Sequence, residues 1–517
     1  MTDAEGFSGL AYVSGICFLL LASLTWLRQQ SHRLPYPPGP SGLPVLGNTL
    51  QMPHERQWLQ YVEWGRKYGK IIHLSMLGHS MIILNSADVI VELLEKRSKL
   101  YSDRPTIPLA GEMIGYDQYI ALEHYGSRQT EGRKLITGAL SVRNMPKLHQ
   151  IEESKVVHLM SRLIARPVEF RLHLRWFVAA VAFEYTHAYQ VEDCDDYFVR
   201  LAERVNNDFN TVVKPGKYLV DIFPFLKHIP DWMPGTKFKA VAKEARERVQ
   251  RLADETFEIV QTRVADGTAR ASFTADLIES NPERTPEEED IFKTTSMTFY
   301  ADRLSSTSQT VSTLESFFLI MTLHPEIQRK AQAEVDHVIG LDRLPKVSDR
   351  PRLPYVEGLI KEAFRWNPVF PLALPHYLNQ DDVYEGYHIP ANSTVIANSW
   401  YVAILHDSSL YPQPFEVLPE RYLQQEHGLN PDPKSFAFGY GRRVCPGQPL
   451  ADDLVFIVAI TILATLNISQ PIGADGLPVK PDVSYTGVAL SHPGPFECAI
   501  AARSVEAEHQ IIHAASC

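Results

Sequence analysis

Cysteine is scarce in this chain: Cys17, Cys194, Cys445, Cys498 and Cys517 are the five among 517 residues. They are far apart, odd in number and never spaced as C-x-x-C. That argues against a disulfide framework and against a zinc site, and it suits a reducing compartment. A basic excess is missing as well. Lys and Arg number 50 against 61 Asp and Glu, and the formal net charge of −11 argues against a nucleic-acid partner. Low-complexity tracts and internal repeats are absent beyond residue 50. What remains is an ordinary globular composition, 45% hydrophobic and 21% charged, with a length that alone suggests roughly two to four domains.

Charge is also absent from Gly9 to Leu27, GLAYVSGICFLLLASLTWL. As a helix these residues reach about 28 Å, enough to cross a hydrocarbon core. Asp3 and Glu5 precede the run while Arg28 and Arg33 follow it, which places the rest of the chain on the cytoplasmic side. A cleaved signal peptide would carry a basic n-region, and none is present. We expect a membrane anchor over residues 1–30. Prolines 35, 37, 38, 40 and 44 then stiffen a connector, read as a hinge over 31–50 ahead of one large body at 51–517.

The body is helical by pattern, with short strand-like runs at 71–77 and 81–85 that predict a β-hairpin. One helix stands out. Thr285 offers an N-cap, Pro286 follows, and Glu287 to Asp290 complement the macrodipole. No Gly or Pro interrupts Glu287–His324 before Pro325 stops it, a span of roughly 57 Å. Its middle, Ala301–Thr310, is polar. That marks either a cavity with chemistry in it or the surface of a bent helix. Glu362 and Arg365 lie three apart and can pair on one helix face, but Glu63/Arg66 and Glu326/Arg329 share that spacing.

Cys445 stands among Gly439, Gly441 and Gly447, beside Arg442 and Arg443, just before an apolar helix pattern from 447 to 466. The glycines let backbone approach a flat object, while the helix N-terminus and the arginines favour a thiolate. No local His or acid supplies a nucleophile's base. A buried inert cysteine is the usual alternative. Iron ligation by a haem-proximal thiolate accounts for glycines, arginines and helix together.

Phe438-Gly-Tyr-Gly441-Arg-Arg443-Val-Cys445-Pro-Gly447 resembles the F-x-x-G-x-R-x-C-x-G signature of the cytochrome P450 family. The long helix, Glu362-x-x-Arg365 and Arg421 in Pro419-Glu-Arg-Tyr422 are similar to family elements in family order. YSDRP (101–105), LPHYL (374–378) and IANSWYVAILHD (396–407) look most like filamentous-fungal members of secondary metabolism. The resemblance implies a mainly α fold with a small β portion, preceded by one transmembrane helix, and it overrides the multi-domain expectation. It implies haem b, with Cys445 as iron ligand and Phe438, Arg443, Arg133 and His376 as cofactor contacts. Glu362, Arg365 and Arg421 would be structural. It further implies electrons from NADPH through cytochrome P450 reductase, with cytochrome b5 as a second donor. The substrate would be lipophilic, and the site the endoplasmic reticulum membrane, single-pass, with the body in the cytoplasm. The usual reaction inserts one atom of O2 into the substrate and releases the other as water.

Three places depart from the family pattern. Its A-G-x-acid-T-T window falls on Ser305-Ser-Thr-Ser-Gln-Thr310, so Ser308 replaces the acid and Gln309 the usual threonine. Thr310 and Gln309 are then the candidates for proton delivery. Gln129-Thr130 stands where Trp-Arg is usual, and Tyr377 where an arginine follows His376, which removes two expected donors to the haem carboxylates. The chain reads as a monooxygenase. The alternatives are a haem-thiolate enzyme of ring closure, coupling or isomerisation, and a non-catalytic haem-binding partner. Pocket walls are expected from 105–120, 205–213 and 369–374.

Overall fold

The computed structural model describes residues 34–516 except 54, 194, 215, 401–404, 424–429 and 487–489, and only the helical backbone of 300–308. The expected anchor, three of the cysteines and the side chains of Ser305 to Ser308 lie outside the described residues. The fold is mainly α with a small β portion.

The long helix runs Pro286–Leu323. Thr285 caps it: its hydroxyl accepts from the Glu288 N–H at 3.2 Å, and the Glu288 carboxylate accepts from the Thr285 N–H at 2.7 Å. This reciprocal box satisfies two donors that a helix start leaves over. The helix packs most extensively on Phe170–His187, whose FVAAVAF centre is apolar on every side and therefore buried all round. Phe318 stacks on Phe170 with ring centroids 5.1 Å apart. Beneath the long helix lies Gln448–Thr465. Among the described residues this is the one helix long and apolar enough to span a membrane, but 67% of it is buried. It belongs to the core, where Phe456, Ile457 and Ile460 are fully covered.

A four-stranded sheet flanks the helices in the order Ile71–Met76, His79–Leu84, Ser393–Ala397, His376–Leu378. The first two strands form the expected hairpin, with Ile71 opposite Leu84 and Met76 opposite His79. Its turn is tighter than the sequence suggested. Leu77 (φ 50°) and Gly78 (φ 87°) make a two-residue turn whose twist suits the strands, so His79 and Ser80 join the ladder. The proline-rich segment lies along this sheet. The Pro38 carbonyl accepts from His73 N–H and the Pro35 carbonyl from His388 N–H, while Tyr36 stacks on both imidazoles. The sheet's fourth strand carries His376 towards the helical body.

Candidate active site

Cys445 is held by a short closed loop. Its N–H donates to the Phe438 carbonyl at 2.8 Å, and the helix Gln448–Thr465 starts just beyond, with Gly447 as N-cap. The Phe438 ring packs, tilted, on Phe364 at 5.3 Å. Gly441 meets a neighbouring backbone. Its φ is +55°, and a Cβ there would fall 2.1 Å from the Leu94 carbonyl oxygen. The missing side chain admits a neighbouring backbone and seats the loop.

The long helix faces this loop across a slot. Gln309, Thr310 and Thr313 line it with Cys445, between apolar walls that include Phe364 and Leu450. The polar middle of the helix therefore borders a cavity at its described end. A second space shares Cys445, Phe438 and Gln309 with the first and is bordered by Arg104, Arg133, His376 and Arg443. A third extends away from the thiol between Tyr119, Val205, Phe209, Phe370 and Leu374. All three expected wall segments contribute.

The rim of the second space is rich in buried donors. Arg443 sends Nε to the Ser102 carbonyl (2.6 Å), Nη1 to Ile120 (3.1 Å) and Nη2 to Glu123 (2.6 Å). Burial, and then the neighbouring Arg133 charge, pull its guanidinium down to about 10. Arg133 donates to the Val444 carbonyl at 2.5 Å. His376 donates from Nδ1 to the Tyr101 carbonyl at 2.7 Å, since a carbonyl only accepts. Burial first, then Arg104 and Arg443, push this imidazole to about 3, so it is neutral and Nε2 offers a lone pair.

Arg104 is the group that sequence reasoning missed. It is 4% exposed and donates to the carbonyls of Ala121, Leu374 and Pro375 at 2.7–3.0 Å. YSDRP was on view, but nothing local says that its arginine turns inward. Gln129, in the place of the usual tryptophan, is also buried, and its amide nitrogen has no hydrogen-bond partner among the described residues. It lies one helical turn before Arg133. Buried cations and a thiol beside the same space fit a flat group that carries carboxylates at its edge and a thiolate-seeking metal. Haem has that chemistry. Cys498, the other described thiol, is pushed up to about 12 by burial and takes no part.

Glu362, Arg365 and Arg421 come together away from the slot. Neither member of the first pair is exposed; Arg365 Nε and Nη2 meet the two Glu362 oxygens at 2.7 and 2.8 Å. Arg421 Nε lies 3.0 Å from Glu362 Oε1, and Tyr422 donates to the same oxygen at 3.0 Å. Arg365 also holds the carbonyls of Leu405, Pro414 and Glu416.

Residues 37–495 match the Cytochrome P450 family model. The chain belongs to the cytochrome P450 family. It is 39% identical over 500 residues to Cytochrome P450 monooxygenase 208 of Postia placenta, covering 96% of both chains. It is 38% identical to Cytochrome P450 monooxygenase claR of Ampulloclitocybe clavipes, covering 96% of this chain and 91% of that one. Cytochrome P450 monooxygenase COX1 of Coprinopsis cinerea is 36% identical, with 95% of each covered. This P450 is thus an enzyme, an oxidoreductase of the fungal monooxygenase family, and the non-catalytic reading falls away.

Proposed function

We propose that this P450 is a membrane-anchored haem-thiolate monooxygenase that oxidises a lipophilic intermediate of fungal secondary metabolism. Electrons come from NADPH through cytochrome P450 reductase, with cytochrome b5 as an auxiliary donor. Residues 1–30 anchor it in the endoplasmic reticulum membrane, 31–50 form the hinge and 51–517 the catalytic domain on the cytoplasmic side. The membrane reading is supported by exposed apolar side chains at Leu219, Phe225 and Trp232, the last 82% exposed.

The observation that carries the reading is that Cys445 and the Gln309–Thr310 turn line one slot, with buried donors around its continuation. Cys445 would ligate the iron of haem b, its thiolate favoured by the helix that follows. Arg443, Arg133 and Phe438, joined by Arg104, would hold the group, and neutral His376 would lie against it without donating to it. Haem with a thiolate ligand supplies dioxygen cleavage, which the electron push of sulfur assists. The chain supplies the rest. Phe299, Phe364 and Phe370 exclude water from the slot. Thr310, 4% exposed, presents a hydroxyl that both accepts and donates and so can pass a proton along. Glu362, Arg365 and Arg421 fix the segments behind the cysteine loop.

A second reading, oxidation without oxygen insertion, is favoured by Ser308 in the place of the usual acid and Gln309 in the place of the usual threonine, which leave no titratable group there. Reconstitution with reductase, NADPH and isotopically labelled O2 separates the two. Label in the product supports oxygen insertion; a product that forms without label supports the second reading.

A further inference from the structure

Gln309 and Phe370 border all three cavities: the slot beside Cys445, the space beneath the arginines and the chamber remote from the thiol. Thr310, its neighbour, borders the first alone. The two residues therefore do different work. Thr310 is turned to the reacting end, while Gln309 stands where that end opens into the chamber that would hold the body of a substrate.

The chamber is apolar over most of its wall, and the hydroxyl of Tyr116 is already spent on the Val205 carbonyl at 2.9 Å. The Gln309 backbone carbonyl receives the Thr313 hydroxyl at 3.1 Å, but its side-chain amide has no hydrogen-bond partner among the described residues. It donates only through nitrogen and accepts only through oxygen, which makes it a poorer proton carrier than a hydroxyl, yet it presents both a donor and an acceptor. A hydrocarbon pressed against it would strip the amide of water and return nothing. An oxygen function there would satisfy it.

We propose that Gln309 orients the substrate by hydrogen bonding to a hydroxyl or carbonyl oxygen on an otherwise lipophilic molecule. The enzyme then acts on a compound already oxygenated close to the position it attacks, so an earlier oxygenation or an oxygen-retaining cyclisation must supply the substrate. This rests on the slot being the catalytic centre. Gln309 is a positioning and specificity residue, and Thr310 keeps the proton.

The test uses full-length holoprotein and three rigid probes of one shape: decalin, 2-decalol and 2-decalone, measured by equilibrium dialysis. Gln309→Leu and the unbranched Gln309→Met remove the amide. Comparing the affinity ratio of each oxygenated probe to decalin between variant and wild type cancels the differing hydrophobicity of the probes. That ratio should fall about tenfold in both variants, the size of one hydrogen bond to a desolvated group. Decalin should bind as well as before or better. An unchanged ratio in either variant overturns the inference, as does a wild type that takes up none of the probes. The carbon monoxide spectrum of the same preparations keeps the two readings apart. If it lacks the thiolate signature, the haem-thiolate reading has failed; if the signature is intact and the ratio unchanged, only the role of Gln309 has.

Discussion

Arg365 grips Glu362 through two parallel hydrogen bonds of 2.7 and 2.8 Å with neither side chain exposed. The same spacing in Glu63/Arg66 gives a 2.7 Å pair that is more than half exposed on both sides. At 326/329 it gives separate partners: Arg329 donates to the Pro325 carbonyl and Glu326 faces His324. Removing either member of the buried pair strands a charge, at a cost on the order of 3–5 kcal/mol. Glu362→Ala and Arg365→Ala should therefore fail to yield stable holoprotein. Glu63→Ala should unfold within about 0.5 kcal/mol of wild type. Thermal unfolding and haem content, measured together, check both.

The three fates of one spacing show what the sequence could express. Local features were legible because their causes are local: the Thr285–Glu288 box, the hairpin, and the cysteine loop running into its helix. Arg104 was not legible. Its partners include the carbonyls of Leu374 and Pro375, some 270 residues away, and a single arginine among polar neighbours looks like surface. The neighbour of Gly441 was not legible for the same reason, since the Leu94 carbonyl it admits is distant in sequence. The neutrality of His376 likewise follows from burial and from two guanidinium groups brought in by other segments.

Thr310 and Gln309 should separate kinetically. Thr310→Ala should retain fold, haem and substrate binding while releasing more hydrogen peroxide and less product for each NADPH consumed. Gln309→Ala should shift that ratio less and raise KM instead. Stopped assays of product, peroxide and NADPH with reductase present decide this. Equal uncoupling in both would contradict a division of labour between Thr310 and Gln309.

Acid should destabilise the fold in a defined window. His187, His376 and His406 are buried, and burial pushes each to about 3. Their folded values lie below the ordinary 6.5, so between those limits the unfolded chain binds more protons. Their contribution is fully present above pH 6.5 and is lost as pH falls towards 3. Each histidine removes about 1.4 kcal/mol per pH unit well inside that window. Urea unfolding from pH 7 to pH 4.5 should show the slope. His187→Gln, remote from the slot, should lower it by about one proton.

Deletion of residues 1–30 should move the protein from the membrane to the soluble fraction of fungal cells with its haem spectrum intact. Fractionation by centrifugation and absorbance reads both. A full-length protein that is secreted, or that is recovered without its first residues, would contradict the anchor.

The central claim is that Cys445 is the thiolate ligand of haem iron, and the ferrous carbon monoxide spectrum tests it most directly. Wild-type protein should show the strongly red-shifted Soret band of thiolate ligation, and Cys445→Ser should lose it, whereas Cys498→Ser should keep it. A red-shifted band that survives in Cys445→Ser would contradict the account.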